Sequence, residues 1–586
     1  MNQDELLARL NGIEWNDFEC KRARRGVPED AYKTVSAFTN TAGGWLVFGV
    51  SESNGEMEIT GVDSPDKVQN DFLATLRGGH KLNRVIAVEP HQYEFGGKYV
   101  FAFYVPEASR FDKPVYLKGD PRQSYVRRGA GDEQCTQSEL ERFLRDAAQE
   151  RYDGQILTDI PAEGCFDSET VKWYQAQFAR RNPEQRDIPD PIEFLLNWNF
   201  VVEQGSKLHP TRAGVLLFGT GRYVRQILPR PVLDYQRIDT AFDDWSSDQR
   251  WHDRYVFEEN IFQTWQGLVA RYMRIAEHPF SLDPATLRRN DDPPDYVAFR
   301  EAAINLLIHQ DYGDHGRKAS IRLFTDQTLF WNPGDAFVSE AELLEPTEKE
   351  VRNPSIVKAF RRIGLSDQAG TGIRAIYRNW HELGRVPPRL TNDKAGKAFE
   401  LVLRKAPLVT DAMERFRRAV GVNLTAAQAD ALALALGDDA DGRISLTDIR
   451  ELGIPTTREA REIADYLIHQ QLLQPIGETL YEVREGLKER FAQAAKPTSP
   501  PTTGEVTGEV TGEVRRLLSV MRGEMRRVEI QQALGLKHED HFRDTYLRPA
   551  LDAGVIEMTV PEKPRSSKQR YRLTEQGQNL LDQGNE

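Results

Sequence analysis

Apolar positions in this chain recur with two periods, and each change of period marks the start of a new element. Across 29–40, Ala31, Val35 and Phe38 fall at helical spacing, which predicts a helix with one buried face. The Gly43-Gly44 pair then turns the chain into 45–50, an apolar run of strand length. Further strands are expected at 17–21, 85–89, 99–105 and 124–127, with helices at 5–10 and 137–148, so 1–150 reads as one α/β unit. Residues 151–209 read as a helical connector broken at Pro189 and Pro191. A second α/β unit is expected over 210–405. It has strands at 215–218, 319–324 and 328–331 and helices at 296–309 and 373–383.

Beyond Pro407 the elements shorten. In 407–495, helices at 445–452 and 457–471 flank a 453–455 turn and lead to a strand at 480–483, the spacing of a winged helix-turn-helix. Residues 496–514 are rich in Thr, Pro and Gly and carry Thr-Gly-Glu-Val three times from Thr503 to Val514, which reads as a linker. The last unit, 515–586, repeats the winged plan, with helices at 527–534 and 541–553 and a wing of 555–560 and 569–573. The fold class expected is a multidomain α/β (α+β) chain carrying two winged-helix modules.

Length agrees with that division, because 586 residues exceed what one hydrophobic core holds. Hydrophobic residues at 39% and charged residues at 28% exclude a chain that is disordered throughout or mostly embedded in membrane. The opening Met1 to Leu10 lacks the basic and apolar regions of a signal peptide, so a cytoplasmic location is expected, with no membrane partner. Three widely spaced cysteines form no disulfide framework. With 77 Lys and Arg against 90 Asp and Glu, the net charge is −13 and the mean field repels phosphate. Contact with nucleic acid must therefore be local. The candidates are Lys21, Arg22, Arg24 and Arg25 near the start, with Arg127, and Lys563, Arg565, Lys568, Arg570 and Arg572 near the end.

Glu19 and Lys21 stand two apart and share a face if 17–21 is a strand, while Glu14 reaches the same point from the preceding turn. Two converging carboxylates can hold Mg2+ or Mn2+ and activate water for attack on a phosphate, with the lysine offsetting charge. Glu52, just past the 45–50 strand, is the candidate third carboxylate. The competing reading is a plain Glu19–Lys21 ion pair worth under about 1 kcal/mol.

Glu14, the run Phe18 to Lys21, the run Ala37 to Gly44, Leu46 to Val50, Pro114 to Tyr116 and Tyr125 to Gly129 together resemble the Schlafen AlbA-like domain, over roughly 5–148. That resemblance implies nucleic-acid binding. It also implies an RNA-cutting site built from glutamates spaced as Glu14 and Glu19, with a further carboxylate after the Gly-Gly strand. This chain has Ser51-Glu52 where a pair of aspartates is common.

Glu301, Asn305 and His309 recur every four residues, so one helix face carries all three. A side-chain amide one turn from a glutamate can bind magnesium while the glutamate orients water on a nucleoside triphosphate. Asn332-Pro333-Gly334 and Gly370-Thr371-Gly372 are places where backbone can approach a ligand closely. With Asn353-Pro354, the ordered set resembles a divergent GHKL-type ATP-binding module over 210–405. The resemblance implies a Bergerat-type fold with Asn305 on magnesium and Glu301 as base. The usual Asp-x-Gly-x-Gly adenine box is not evident, and Asn332 stands near its place.

Three readings follow. One is a nucleotide-gated, metal-dependent endoribonuclease, with transfer RNA among its substrates, a homo-oligomer set by the ATP module, and a stress or anti-phage role by family analogy. Another is a non-enzymatic, ATP-responsive transcriptional regulator whose winged units read DNA. The third is an ATPase that remodels partners.

Overall fold

The computed structural model describes residues 1, 3–10, 16–53, 56–148, 151–246, 251–275, 281–282, 289–290, 293–345, 347–366, 371–437, 440, 442–495, 512–534, 542, 546–559, 570–574 and 577–578. The chain divides into two units, Met1–Lys496 and Pro497–Glu586.

The first lobe of the larger unit is a four-stranded sheet in the order Phe18–Lys21, Gly44–Phe48, Lys98–Val105, Glu89–Phe95. The outer pair Phe18–Lys21 and Gly44–Phe48 is parallel, with Glu19 opposite Leu46, and the remaining pairs are antiparallel. Strand alternation sends Leu46 and Phe48 to one face, where Phe48, Phe72 and Phe103 pack with ring centroids 4.8–5.4 Å apart. Val47 points the other way, towards Leu6 and Leu10 of the Gln3–Leu10 helix.

The Gly-Gly turn has a steric cause. A Cβ on Gly44 would lie 2.7 Å from the Phe38 ring, and Gly43 adopts φ +76 against the Val105 carbonyl. Asn40 fixes the Ala31–Asn40 helix to the later chain. Its Nδ2 donates to Val115 O at 2.8 Å and Tyr125 O at 3.0 Å, and its Oδ1 accepts from Val115 N at 2.7 Å.

The central lobe is a six-stranded sheet, Asp253–Phe257, Leu233–Arg237, Ser320–Leu323, Gln327–Pro333, Ala398–Arg404, Arg389–Asp393. The helices Pro294–His309, Pro354–Arg362 and Gly372–Glu382 share its core. The run 215–218, expected as a strand, is instead the end of the Arg212–Phe218 helix. Thr211 Oγ1 caps it by accepting from Gly214 N at 3.1 Å, and Val215, Leu216, Leu217 and Phe218 are all buried. A short element apolar on every side shows neither period, which is why pattern alone misassigned it. The strand expected at 85–89 likewise starts only at Glu89 and runs to Phe95.

A smaller core over the end of this unit joins Ala426–Leu436, Leu446–Glu451 and Thr457–His469 to a three-stranded sheet ordered Arg443–Ser445, Leu480–Val483, Leu473–Pro475. The second unit has its own core under the Gly512–Val520 and Arg527–Ala533 helices and an antiparallel Ile556–Met558 and Tyr571–Leu573 pair. Most of the expected 496–514 linker lies outside the described residues, and its last three residues begin the Gly512–Val520 helix. Among the described residues, no helix is long and apolar enough to cross a membrane.

Candidate nucleic-acid and nucleotide sites

The Phe18–Lys21 strand does bring Glu19 and Lys21 to one side, with Lys21 Nζ 2.7 Å from Glu19 Oε1. The other carboxylate oxygen is also taken, since Arg127 Nη2 donates to Glu19 Oε2 at 2.8 Å. Arg127 Nη1 pairs with Asp132 Oδ1 at 3.0 Å, and Lys21 pairs with Asp30 at 2.9 Å. The result is a closed network of three acids and two cations. Burial alone would pull the Lys21 ammonium down, but hydrogen bonds and charge from Glu19 and Asp30 outweigh it and hold its pKa above the ordinary lysine value.

This geometry corrects two expectations. Arg127 cannot reach a phosphate, because it is 6% exposed and its remaining donors go to Asn16 O and Phe18 O at 3.3 and 3.1 Å. Glu19 does not offer a bare carboxylate to a divalent ion, because each oxygen already faces a cation. Glu52 is exposed on the Val50–Ser53 strand opposite Met57, and among the described residues no three His, Cys, Asp or Glu side chains converge on a metal position. Glu14 lies outside the described residues. Of the expected carboxylates, the described residues thus show Glu19 held between two cations and Glu52 apart from it on the Val50–Ser53 strand. Arg22, Arg24 and Arg25 are exposed beside this network, and Arg24 and Arg25 share Asp63 at 3.0 and 3.4 Å.

The central lobe holds a different arrangement, a cavity of about 690 Å³. Glu301, Asn305 and His309 line it from the Pro294–His309 helix, Asn332 and Gly334 from a strand end, and Thr371 and Gly372 from the start of the Gly372–Glu382 helix. Gly370 lies outside the described residues. Two glycines are where the walls come closest. A Cβ on Gly372 would stand 3.2 Å from Asn305 Nδ2 and 3.6 Å from Glu301 Oε2. Gly334 adopts φ +102 with Arg352 Nε and Asp311 N each 3.0 Å from its would-be Cβ. Burial first, and then the Arg352 charge, push the His309 imidazole down to about 4, so it is neutral at pH 7.

The cavity volume falls in the range of small-molecule sites, and an amide and a carboxylate oxygen one helical turn apart suit a hard cation. A nucleotide therefore fits the space, with the glycines letting backbone approach the ligand, while Glu301 Oε1 already lies 3.2 Å from Arg300 Nη2.

A buried ion network joins the two lobes behind this cavity. Arg352 holds Asp146 and, at 3.0 Å, Asp335, while Lys397 sits 3.1 Å from Asp335 and 3.6 Å from Asp146. Glu107 binds Lys394 at 2.9 Å and Lys113 at 2.6 Å. Sequence reading missed this network, since its members are up to 287 residues apart and no local spacing pairs them. It also missed Arg374 and Arg378 on the cavity wall, whose four-residue spacing on a predicted helix was a usable signal.

In the second unit, Lys563, Arg565 and Lys568 lie outside the described residues. Arg570 donates to Glu524 O at 3.1 Å, and Arg572 pairs with Glu557 at 2.7 Å. Of the two described basic residues of the expected wing, Arg572 is thus paired with an acid and Arg570 with a backbone carbonyl.

Family models match four segments: Schlafen, AlbA_2 at 14–136; a domain of unknown function, DUF8451, at 141–234; Putative ATP-dependent DNA helicase recG C-terminal at 316–403; and Filamentation induced by cAMP protein Fic-like, C-terminal domain, at 512–574. The chain therefore carries a Schlafen AlbA_2 domain, a RecG-like C-terminal ATPase-like domain and a Fic-like C-terminal domain. Together these mark a nucleic-acid-related, ATP-binding type of protein.

A search of curated proteins gave no match. Among solved structures, the chain is similar to the DIP2311 protein of Corynebacterium diphtheriae at 16% identity, covering 95% of both chains with a TM-score of 0.37. It is 32% identical to the N-terminal domain of a putative ATP-dependent DNA helicase RecG-related protein from Nitrosomonas europaea, over 23% of this chain and 95% of that one, with a TM-score of 0.19. A Fic family protein from Desulfovibrio desulfuricans G20 matches at 18% identity over 38% of this chain and 68% of that one, with a TM-score of 0.11. At these TM-scores none of the three supports an argument about this chain.

Proposed function

We propose that this protein is a nucleotide-binding regulator that grips nucleic acid without cutting it, and that it works in the cytoplasm. In this reading the central cavity binds ATP with Mg2+, the first lobe contacts nucleic acid through the exposed Arg22, Arg24 and Arg25 loop, and the 407–495 and tail modules act as winged helices on DNA. The observation that carries it is the cavity: Glu301, Asn305, His309, Asn332, Gly334, Thr371 and Gly372, spread over some 70 residues of sequence, line one space of about 690 Å³. Asn305 and Glu301 would be the residues to hold the ion there, and the neutral His309 adds no charge to that wall. Chemistry on the nucleotide would come from the magnesium ion polarising phosphate, with Glu301 able to take a proton from water.

The cleavage reading keeps one supporting observation, the 2.7 Å approach of Lys21 to Glu19 on a single strand face. One experiment separates the two. The full chain is mixed with labelled transfer RNA and with duplex DNA, with Mg2+ or Mn2+, and binding and cutting are read in parallel, while calorimetry follows an ATP analogue. Regulation predicts nucleic-acid binding with no cutting, and an analogue affinity that falls about 10- to 100-fold in Asn305→Ala. Divalent-dependent cutting that disappears in Glu19→Gln would replace this reading with the nuclease, and a parent protein that binds no analogue would remove its nucleotide half.

A further inference from the structure

The cavity wall carries more positive charge than the acids around it answer. Glu301 meets Arg300 at 3.2 Å, Asp335 meets Arg352 at 3.0 Å, and Glu350 meets Arg110 at 2.8 Å. Arg450 is held by the Glu345 carboxylate. Lys349, Arg374 and Arg378 also line the space and, among the described residues, make no ion pair. Burial, with the Arg374 charge beside it, holds the Lys349 ammonium below the ordinary lysine value against the opposing pull of Glu345 and Glu342. Three unanswered cations thus stand together in a chain whose net charge is −13.

Two of them are open to a ligand. Arg374 is half-buried and Arg378 exposed, and they stand one turn apart on the Gly372–Glu382 helix, where side chains four apart are neighbours. Neither makes a hydrogen bond among the described residues, so the donors of both guanidinium groups are unengaged. The helix also has a direction in the cavity. Its first residue, Gly372, would place a Cβ 3.2 Å from Asn305 Nδ2, whereas Arg378 is at the exposed rim beside Gly453. Phe330, Phe399 and Leu401 supply apolar lining for a base. Guanidinium groups suit phosphate oxygens through paired N–H donors.

We propose that Arg374 and Arg378 bind the phosphate chain of the nucleotide in order, Arg374 with Lys349 at an inner phosphate and Arg378 at the terminal one. The chain then runs outward along the Gly372–Glu382 helix. This rests on the nucleotide reading above and deepens it. Adenosine meets neither arginine, a diphosphate reaches Arg374, and only a triphosphate reaches Arg378. Affinity is therefore set in two steps, and the two arginines are not interchangeable.

The test is calorimetry on the full chain with adenosine, ADP, a non-hydrolysable ATP analogue and inorganic tripolyphosphate. In the parent, affinity should rise from adenosine to ADP to the analogue, with tripolyphosphate weaker than the analogue. Arg378→Ala should weaken the analogue by about tenfold and leave ADP within about twofold. Arg374→Ala should weaken both by about tenfold, and neither variant should move adenosine by more than about twofold. Each substitution breaks no bond in the free protein, so thermal unfolding of both variants should match the parent. Unchanged analogue affinity in both variants, equal losses for adenosine and the analogue, or an ADP loss equal to the analogue's in Arg378→Ala overturns the ordered contact and leaves the nucleotide reading standing. Tripolyphosphate binding as tightly as the analogue, with the same losses, overturns the nucleotide reading while the arginine contacts stand. A parent protein that binds none of the four overturns both.

Discussion

The cluster around Glu19 and the cavity around Asn305 are both dense in charged residues, yet they do opposite things. At Glu19 every charge meets its partner within the lobe, down to the 3.1 Å bond from Arg127 to Phe18 O. Around the cavity, Arg374 and Arg378 are unengaged among the described residues, and there is room for a ligand. A saturated network holds a fold together, while an open one with space beside it binds something. The two differ in protonation as well. Acidic neighbours keep Lys21 charged to higher pH, whereas burial and Arg352 strip the proton from His309.

The largest effect should come from breaking the closed side. Arg127→Ala removes the buried cation that Glu19 and Asp132 share, leaving Glu19 only Lys21 and Asp132 only the Thr34 hydroxyl, and the first lobe should lose about 3 kcal/mol in denaturant unfolding, with nucleotide affinity unchanged. A loss below 1 kcal/mol would mean that the network is not structural.

The next test acts on the open side. His309 has its folded pKa pushed down to about 4 from the ordinary histidine value of about 6.5, by burial first and then by the Arg352 charge, so the unfolded chain takes the proton first. The associated stability is full above about 6.5 and is lost as pH falls towards 4, on the order of 2 kcal/mol after allowance for partial solvent access. Unfolding measured between pH 7 and pH 4 should show that slope, and His309→Gln should flatten it.

The smallest effect sharpens the contrast at the surface. Arg22→Ala should lower the magnitude of the log-log salt slope for duplex binding by about 0.9, whereas Glu52→Ala should leave it within error. An unaltered slope in Arg22→Ala would take the exposed loop out of the interface.

How much could be read in advance follows the same divide. The helix carrying Glu301, Asn305 and His309 was legible from a four-residue repeat, because helical geometry forces residues so spaced onto one face. The pairing of Glu19 with Lys21 was legible for the equivalent reason in a strand. The role of Arg127 was not. Its sequence neighbours gave it the look of an exposed basic residue, and only the packing of the Tyr125–Arg128 strand against the Ala31–Asn40 helix carries its side chain to Phe18 O and over Phe38. The 215–218 run shows the limit for secondary structure, since complete burial erases periodicity.

Local spacing thus determined which residues share a face, because backbone geometry fixes side-chain direction over a few residues. Tertiary structure alone decided which charges were answered and which were left open. Arg450 became part of a cavity with Asn305 only through packing between segments 145 residues apart, and electrostatic saturation depends on what chain folding brings within a few ångströms rather than on order along the sequence.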